Sequence, residues 1–362
     1  MKVTTPHMGH VSVALASGFR ELGVECVVPP PNSRRTLSLG VRHSPETACL
    51  PFKVTLGNFI EALEAGADTL VMPAGRGLCR FGYYAGLQEQ ILRDLGYDFR
   101  MVTVDLFKGR IFSLIKVFKD LSRAPYRRVI PAIRFGLSKL AVMDELERLT
   151  QKVRAVELRK GTATRIFGEA IAAISQVESR ASLQRVKEEY QEKLRAVPVD
   201  EKARPLKVRV MGEFYVLLEP FVNMDVEVEL GKLGVEVHRS VSISKWTKFS
   251  LILQLFGISE KEKLHQAAKP YLKRDVGGDG WESVGHKVLD SARYDGLVHL
   301  TPFGCMPEIV AQNIFPAVKN DMPLLTIICD EQMGKAGMLT RLEAFVDLLQ
   351  RRRSERQKIL AR

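Results

Sequence analysis

Residues 68–92 read DTLVMPAGRGLCRFGYYAGLQEQIL. The apolar run 68–72 predicts a strand. Gly75 and Gly77 turn it into a loop that carries Cys79, and the apolar spacing over 83–95 predicts a helix. The same strand–helix alternation extends in both directions. Upstream, 2–6 reads as a strand, 12–22 as a helix and 24–28 as a second strand. A further helix is expected over 55–65, where Leu56, Phe59, Ile60 and Leu63 fall on one face, and a strand over 99–104 follows. Residues 110–198 are helical and charged, with Val177, Leu183, Val186, Tyr190, Leu194 and Val197 tracing one stripe. Pro198 and Pro205 bracket a linker. A second alternating series then begins: strand 207–211, helix 222–233, and strands 235–238, 296–301 and 323–328, with helices over 307–318 and 338–352. Alternation of this kind predicts α/β domains with mostly parallel sheets covered on both faces. The expected division is an α/β domain over 1–108, a charged helical connector over 109–204 and an α/β domain over 205–362. No internal repeat is visible, and the two α/β halves do not align by eye.

With 362 residues, 46% hydrophobic and 27% charged, the chain can bury two ordinary cores. No apolar run approaches the roughly 18 residues of a membrane span, and the N-terminal segment lacks the apolar stretch of a secretory signal. A soluble, cytoplasmic protein without a membrane partner is expected. The net charge of +12 favours an anionic partner, either nucleic acid, a phosphorylated ligand such as coenzyme A, or an acidic protein face. No zinc-finger or RNP-type motif is present, so nucleic acid is not the expected partner. Residues 108–134 hold Lys108, Arg110, Lys116, Lys119, Arg123, Arg127, Arg128 and Arg134 against the single acid Asp120. Such a segment reads either as a docking surface or as a solvated face.

Five cysteines, an odd number in a chain of this size, argue against a disulfide framework. Cys49, Cys79 and Cys305 each precede a helix, the latter two after a strand, where open parallel sheets bind their ligands. A helix N-terminus favours thiolate, the form that binds metal. Gly75, Gly77 and Gly304 give these loops backbone freedom, and Pro51, Pro302 and Pro307 stiffen them. Cys26 and Cys329, at strand positions, read as buried apolar thiols. No C-x₂-C pair ties the three loop cysteines to a known cluster spacing, so isolated burial, a nucleophile and a shared metal site all stay open. There is no phosphate-binding P-loop, and GGDG at 277–280 follows a helical segment, so it is not a dinucleotide fingerprint. His7 and His10 follow the first strand and read as packing residues or as site lining.

Five blocks carry a resemblance: ACLPFKVTLGNFIEALEAGADTLVMPAGRGLCRFGYY (48–84), GEFYVLLEPFVN (212–223), GGDGWESVGHKV (277–288), DGLVHLTPFGCMPEIVAQNIFPAV (295–318) and CDEQMGKAGMLTRLEAFVDLL (329–349). Together they resemble the 2-hydroxyacyl-CoA dehydratase family, and more closely its CoA-enzyme-activase-related branch. The resemblance implies domains of Rossmann or flavodoxin type and a [4Fe–4S] cluster held by Cys49, Cys79 and Cys305, with one iron left open to a non-protein ligand. It also implies a low-potential electron from an actin-like ATPase activator with its own iron–sulfur cluster, a related second subunit, and an acyl-CoA-like substrate that is dehydrated or reduced by radical chemistry. The implied activator accounts for the missing phosphate loop. A double-cubane relative that reduces small molecules needs about six cysteine ligands, against the five present here. By loop position, Glu308, Asp330 and Glu331 are candidate catalytic or cluster-closing groups, and Arg76 and Arg80 flank Cys79. Three alternatives stand beside this one: a non-catalytic electron-relay or scaffold subunit, a small-molecule reductase related to the double-cubane proteins, and a metal-free nucleotide- or nucleic-acid-binding α/β protein.

Overall fold

The computed structural model describes residues 1–75, 77–105, 110–241 and 260–360. They form two compact units, one of residues 1–142 and the other of 143–241 with 260–360.

In the first unit, β1 (Lys2–Thr4), β2 (Glu25–Cys26), β3 (Thr69–Ala74) and β4 (Arg100–Asp105) form one sheet in the order β2-β1-β3-β4. Every pairing is parallel. In the second unit, β5 (Leu206–Gly212), β6 (Val235–Arg239), β7 (Gly296–Pro302) and β8 (Leu324–Cys329) form the order β6-β5-β7-β8, again all parallel. Both sheets therefore place their second strand outside the first and continue with the third and fourth on the other side. This is the flavodoxin-like order, with its switch point between first and third strands. Helices on both faces make β7 a run of seven buried residues.

Several elements differ from the local reading. β2 is only two residues long; the Val27 N–H still bonds the Val3 carbonyl, but Pro29, Pro30 and Pro31 come soon after and offer no N–H to a ladder. The helix expected over 55–65 is Leu50–Glu64, with proline in its first turn. Pro51 costs nothing there, since first-turn N–H groups have no intrahelical partner. An additional helix, Arg34–His43, opens with a capping box between Ser33 and Thr36. It crosses Leu50–Glu64 so closely that a Cβ on Gly40 would lie 1.7 Å from the Lys53 carbonyl, and one on Gly57 2.0 Å from the Thr36 carbonyl. At the same crossing Thr36 donates to the buried Glu61 at 2.7 Å. The helix expected over 222–233 is two, Pro220–Asn223 and Val226–Lys232, and a further short helix, Phe214–Leu218, precedes them. Met224 and Asp225 both adopt left-handed backbone at the last break.

The charged stretch resolves into Arg110–Ser122, Tyr126–Val156, Thr162–Gln176 and Arg180–Arg195. In the first unit the sheet face is sealed by Phe19 stacked on Phe118, ring centroids 4.0 Å apart. In the second, Arg239 is buried between Glu147 and Glu227, both of which it bonds. Among the described residues no helix is long and apolar enough to cross a membrane.

Candidate functional site

Cys49, Cys79 and Cys305 share one local position. Each is the N-cap residue of a helix in extended backbone: Cys49 of Leu50–Glu64, Cys79 of the 3-10 turn Arg80–Tyr83 and Cys305 of Met306–Ile314. The thiols thus stand closer to helix N-termini than the sequence spacing suggests. Pro51 and Pro307 are first-turn residues rather than loop stiffeners.

In the first unit, Cys49 is buried and its Sγ lies 2.6 Å from the Tyr84 hydroxyl. Tyr84 is held edge-on against Phe52 and tilted against Phe81. Cys79 is half-buried at the carboxyl end of β3, at the switch point of its sheet. Arg80 donates from Nη1 to the Thr47 carbonyl at 3.1 Å, which ties the Cys79 turn to the loop entering Cys49. Gly82 allows the turn to close on β3, since a Cβ there would lie 2.1 Å from the Gly75 carbonyl. The element before Cys49 is the helix Arg34–His43, not a strand. Arg76 lies outside the described residues. His7 braces the ends of β1 and β2, with Nε2 within 2.9 Å of the Pro29 and Pro30 carbonyls and its backbone N–H donating to Asn58.

In the second unit, Cys305 follows β7 and is also buried. It sits at the same place in its sheet as Cys79 does after β3. Gly304 turns the chain at φ +76°, a conformation that favours glycine. Glu308, three residues on, is fully buried. Its Oε2 lies 2.7 Å from Nε2 of His299 on β7 and accepts the Ser283 hydroxyl at 2.9 Å. Its Oε1 has no hydrogen-bond partner among the described residues. Glu213 opens the other side of the switch point, directly after β5. Gly212 sets it there at φ +135°, where a Cβ would lie 1.9 Å from the Leu300 carbonyl. Burial pushes the Glu213 carboxyl up to about 8 against the N–H bonds of Val216 and Tyr215, and Asp279 and Glu308 add to the rise. Asp279 accepts the Phe214 N–H at 3.2 Å.

Asp330 and Glu331 are half-buried in the loop after β8, where Asp330 accepts the Gln332 N–H. These two acids thus stand at the carboxyl end of β8, while the Glu308 carboxyl is turned back onto His299 in the middle of β7. Glu213, Asp279, Ser283 and His299 were not legible as site residues. A histidine inside the otherwise apolar run GLVHLTP is the one signal that pointed to them.

Cys26 and Cys329 belong to the cores. Burial pushes the Cys26 thiol up to about 11, with Arg20 opposing. Cys329 is fully buried and pushed up to about 12, with Asp330 and Glu213 adding to the effect of burial. In the folded protein Cys26 is expected to react with iodoacetamide at a rate that climbs about tenfold per pH unit from about pH 7 to about pH 10, since thiolate is the nucleophile. A rate that levels off near pH 9 would contradict this environment.

Among the described residues, no group of three or more histidine, cysteine, aspartate and glutamate side chains stands ready to hold a metal ion. Thiols such as these are the soft ligand type of iron–sulfur centres.

No curated protein matches the chain. A family model described as CoA enzyme activase uncharacterised domain (DUF2229) matches residues 8–80, a span that takes in Cys49 and Cys79 and ends one residue beyond the latter. The part of the chain that bears the first two thiols is therefore similar to that domain.

Proposed function

We propose that the protein is a [4Fe–4S] component of the 2-hydroxyacyl-CoA dehydratase type, in which Cys49, Cys79 and Cys305 hold the cluster. The observation that carries this reading is that all three thiols are helix N-caps, two of them at the switch-point ends of parallel sheets. The activase-domain match over the first two supports it. When bound, the cluster supplies low-potential one-electron transfer and a Lewis-acidic iron.

The chain's own residues then have definite tasks. The dipoles of the helices Leu50–Glu64 and Met306–Ile314 favour the thiolate form of Cys49 and Cys305, while Cys79 opens the short 3-10 turn Arg80–Tyr83. A Cys49 thiolate would accept from the Tyr84 hydroxyl 2.6 Å away, and Arg80 keeps the two thiol loops of the first unit in register. Glu308, Asp330 and Glu331 are the carboxyls available for proton handling on an acyl-CoA-like substrate. Electrons come from an ATP-hydrolysing activator of actin-like type, and a related second subunit completes the system.

The alternative of a relay or scaffold subunit has one observation in its favour. The matched domain is one of activase proteins rather than of dehydratases. The two readings differ at the open iron. In anaerobically prepared, reduced protein, adding a 2-hydroxyacyl-CoA thioester is expected to change the EPR spectrum, because its carbonyl oxygen suits a Lewis-acidic iron. A spectrum indifferent to thioester but altered by Asp330→Ala or Glu331→Ala would mean that a carboxylate closes the shell, and would establish the relay.

A further inference from the structure

The basic stretch singled out in the sequence forms a distinct surface of the first unit. It consists of the helix Arg110–Ser122 and the opening turns of Tyr126–Val156. Lys116, Arg123, Arg127, Arg128 and Arg134 are exposed on it. Three large apolar side chains stand among them: Phe112 is 70% exposed, Tyr126 53% and Ile130 43%. The spacing puts Phe112, Lys116 and Arg123 along one helix face, and Tyr126, Ile130 and Arg134 along the other. Lys119 lies over the Tyr126 ring at 4.8 Å and joins the two strips.

On other helices some exposed arginines and lysines are matched one turn away by an acid, as in Arg93–Glu89, Arg165–Glu169, Lys193–Glu189 and Arg351–Asp347. Among the described residues, none of Lys116, Lys119, Arg123, Arg127, Arg128 and Arg134 has an ion pair, and Asp120 is the one acid on the surface. Five exposed unpaired cations repel one another, an arrangement whose electrostatic complement is a dense array of negative charge.

We propose that this surface docks on an anionic lipid bilayer. The cations meet the headgroup phosphates, while Phe112 and Ile130 enter the acyl boundary and Tyr126 sits at headgroup level. The mixture of side chains favours lipid over the other polyanions. Protein interface cores are depleted of charge, whereas cations outnumber apolar groups here. A nucleic-acid groove uses aromatic faces for stacking, which Ile130 lacks. The absence of a spanning helix bears on insertion across a bilayer, not on attachment to its surface.

The test uses the full chain sedimented with phosphatidylcholine vesicles, with and without an equal part of phosphatidylglycerol. Binding is expected only to the anionic vesicles, and it should fall steeply as salt is raised from about 0.1 M to about 1 M. Arg127→Glu with Arg128→Glu should weaken binding by about tenfold or more. Phe112→Ser with Ile130→Ser should weaken it about fivefold or more while leaving its salt dependence in place. All four positions are exposed, so unchanged thermal unfolding of the variants verifies that they fold. The proposal is overturned by equal binding to neutral vesicles, by no binding to anionic ones, by variants that bind like the parent, or by binding of single-stranded RNA where vesicles fail.

Discussion

Alanine at Cys305 is expected to strip most of the iron from protein purified without oxygen, and alanine at Cys49 or Cys79 to do the same. The parent should carry about four iron and four sulfide per chain, and each single variant about one iron or less, because a cubane that loses one of three thiolate ligands is open at two irons. Cys26→Ala should leave the iron content unchanged. Cys26 lies on the two-residue strand β2 and packs against the first unit's core, away from any helix start. The three proposed ligands share a feature that Cys26 lacks, an N-cap position with first-turn N–H groups to favour negative charge on sulfur. Equal iron in all four variants would remove the assignment of these ligands, and so would an iron-free parent prepared under strict anaerobiosis. Neither result would touch the lipid surface, which rests on different residues.

Gly57→Ala should be among the most damaging single-atom additions in the first unit. Its Cβ would stand 2.0 Å from the Thr36 carbonyl, so the helices Arg34–His43 and Leu50–Glu64 would have to separate. Backbone cannot rotate out of the way as a side chain can, and the expected cost is about 3 kcal/mol or more. For a unit of this size that lowers the melting temperature by roughly 10 °C. The separation should also weaken the Thr36–Glu61 bond and shift Cys49 at the head of the same helix. Gly86 provides the control. It lies on the exposed side of the helix Tyr84–Asp94 with nothing within 4 Å of a new Cβ, so Gly86→Ala should stabilise by about 0.5–1 kcal/mol. Thermal unfolding by circular dichroism separates the two outcomes. Similar shifts for both variants would show that the helix crossing is not tightly closed.

The strands were legible because buried parallel strands are short apolar runs. LKVRVM, GLVHLT and LLTIIC stand out in composition, and the glycines that follow two of them mark the turns. The helix Arg34–His43 escaped because its buried residues are Thr36, Leu37 and Gly40. Small and polar residues make a close crossing without writing an apolar stripe. The helix containing Gly57 had the opposite problem. It is buried from Leu50 to Leu63, so spacing marked only its second half. Proline after Cys49 looked like a loop residue, although the first turn is the one helical place that tolerates it.

What the sequence determined by itself was local: two strand–helix series, a charged helical stretch, and three cysteines at helix starts. Those features depend on residues a few positions apart. The strand orders, identical in the two sheets, were decided by tertiary structure, because parallel pairing joins Val3 to Thr69 and Val208 to Gly296 across crossover helices. The same holds for the meeting of Glu213 with Asp279 and Glu308, and for the seating of Glu308 between His299 and Ser283. Two four-stranded sheets with one topology can be built from sequences that do not align, since the topology is fixed by which apolar faces must be covered and not by which apolar residues cover them.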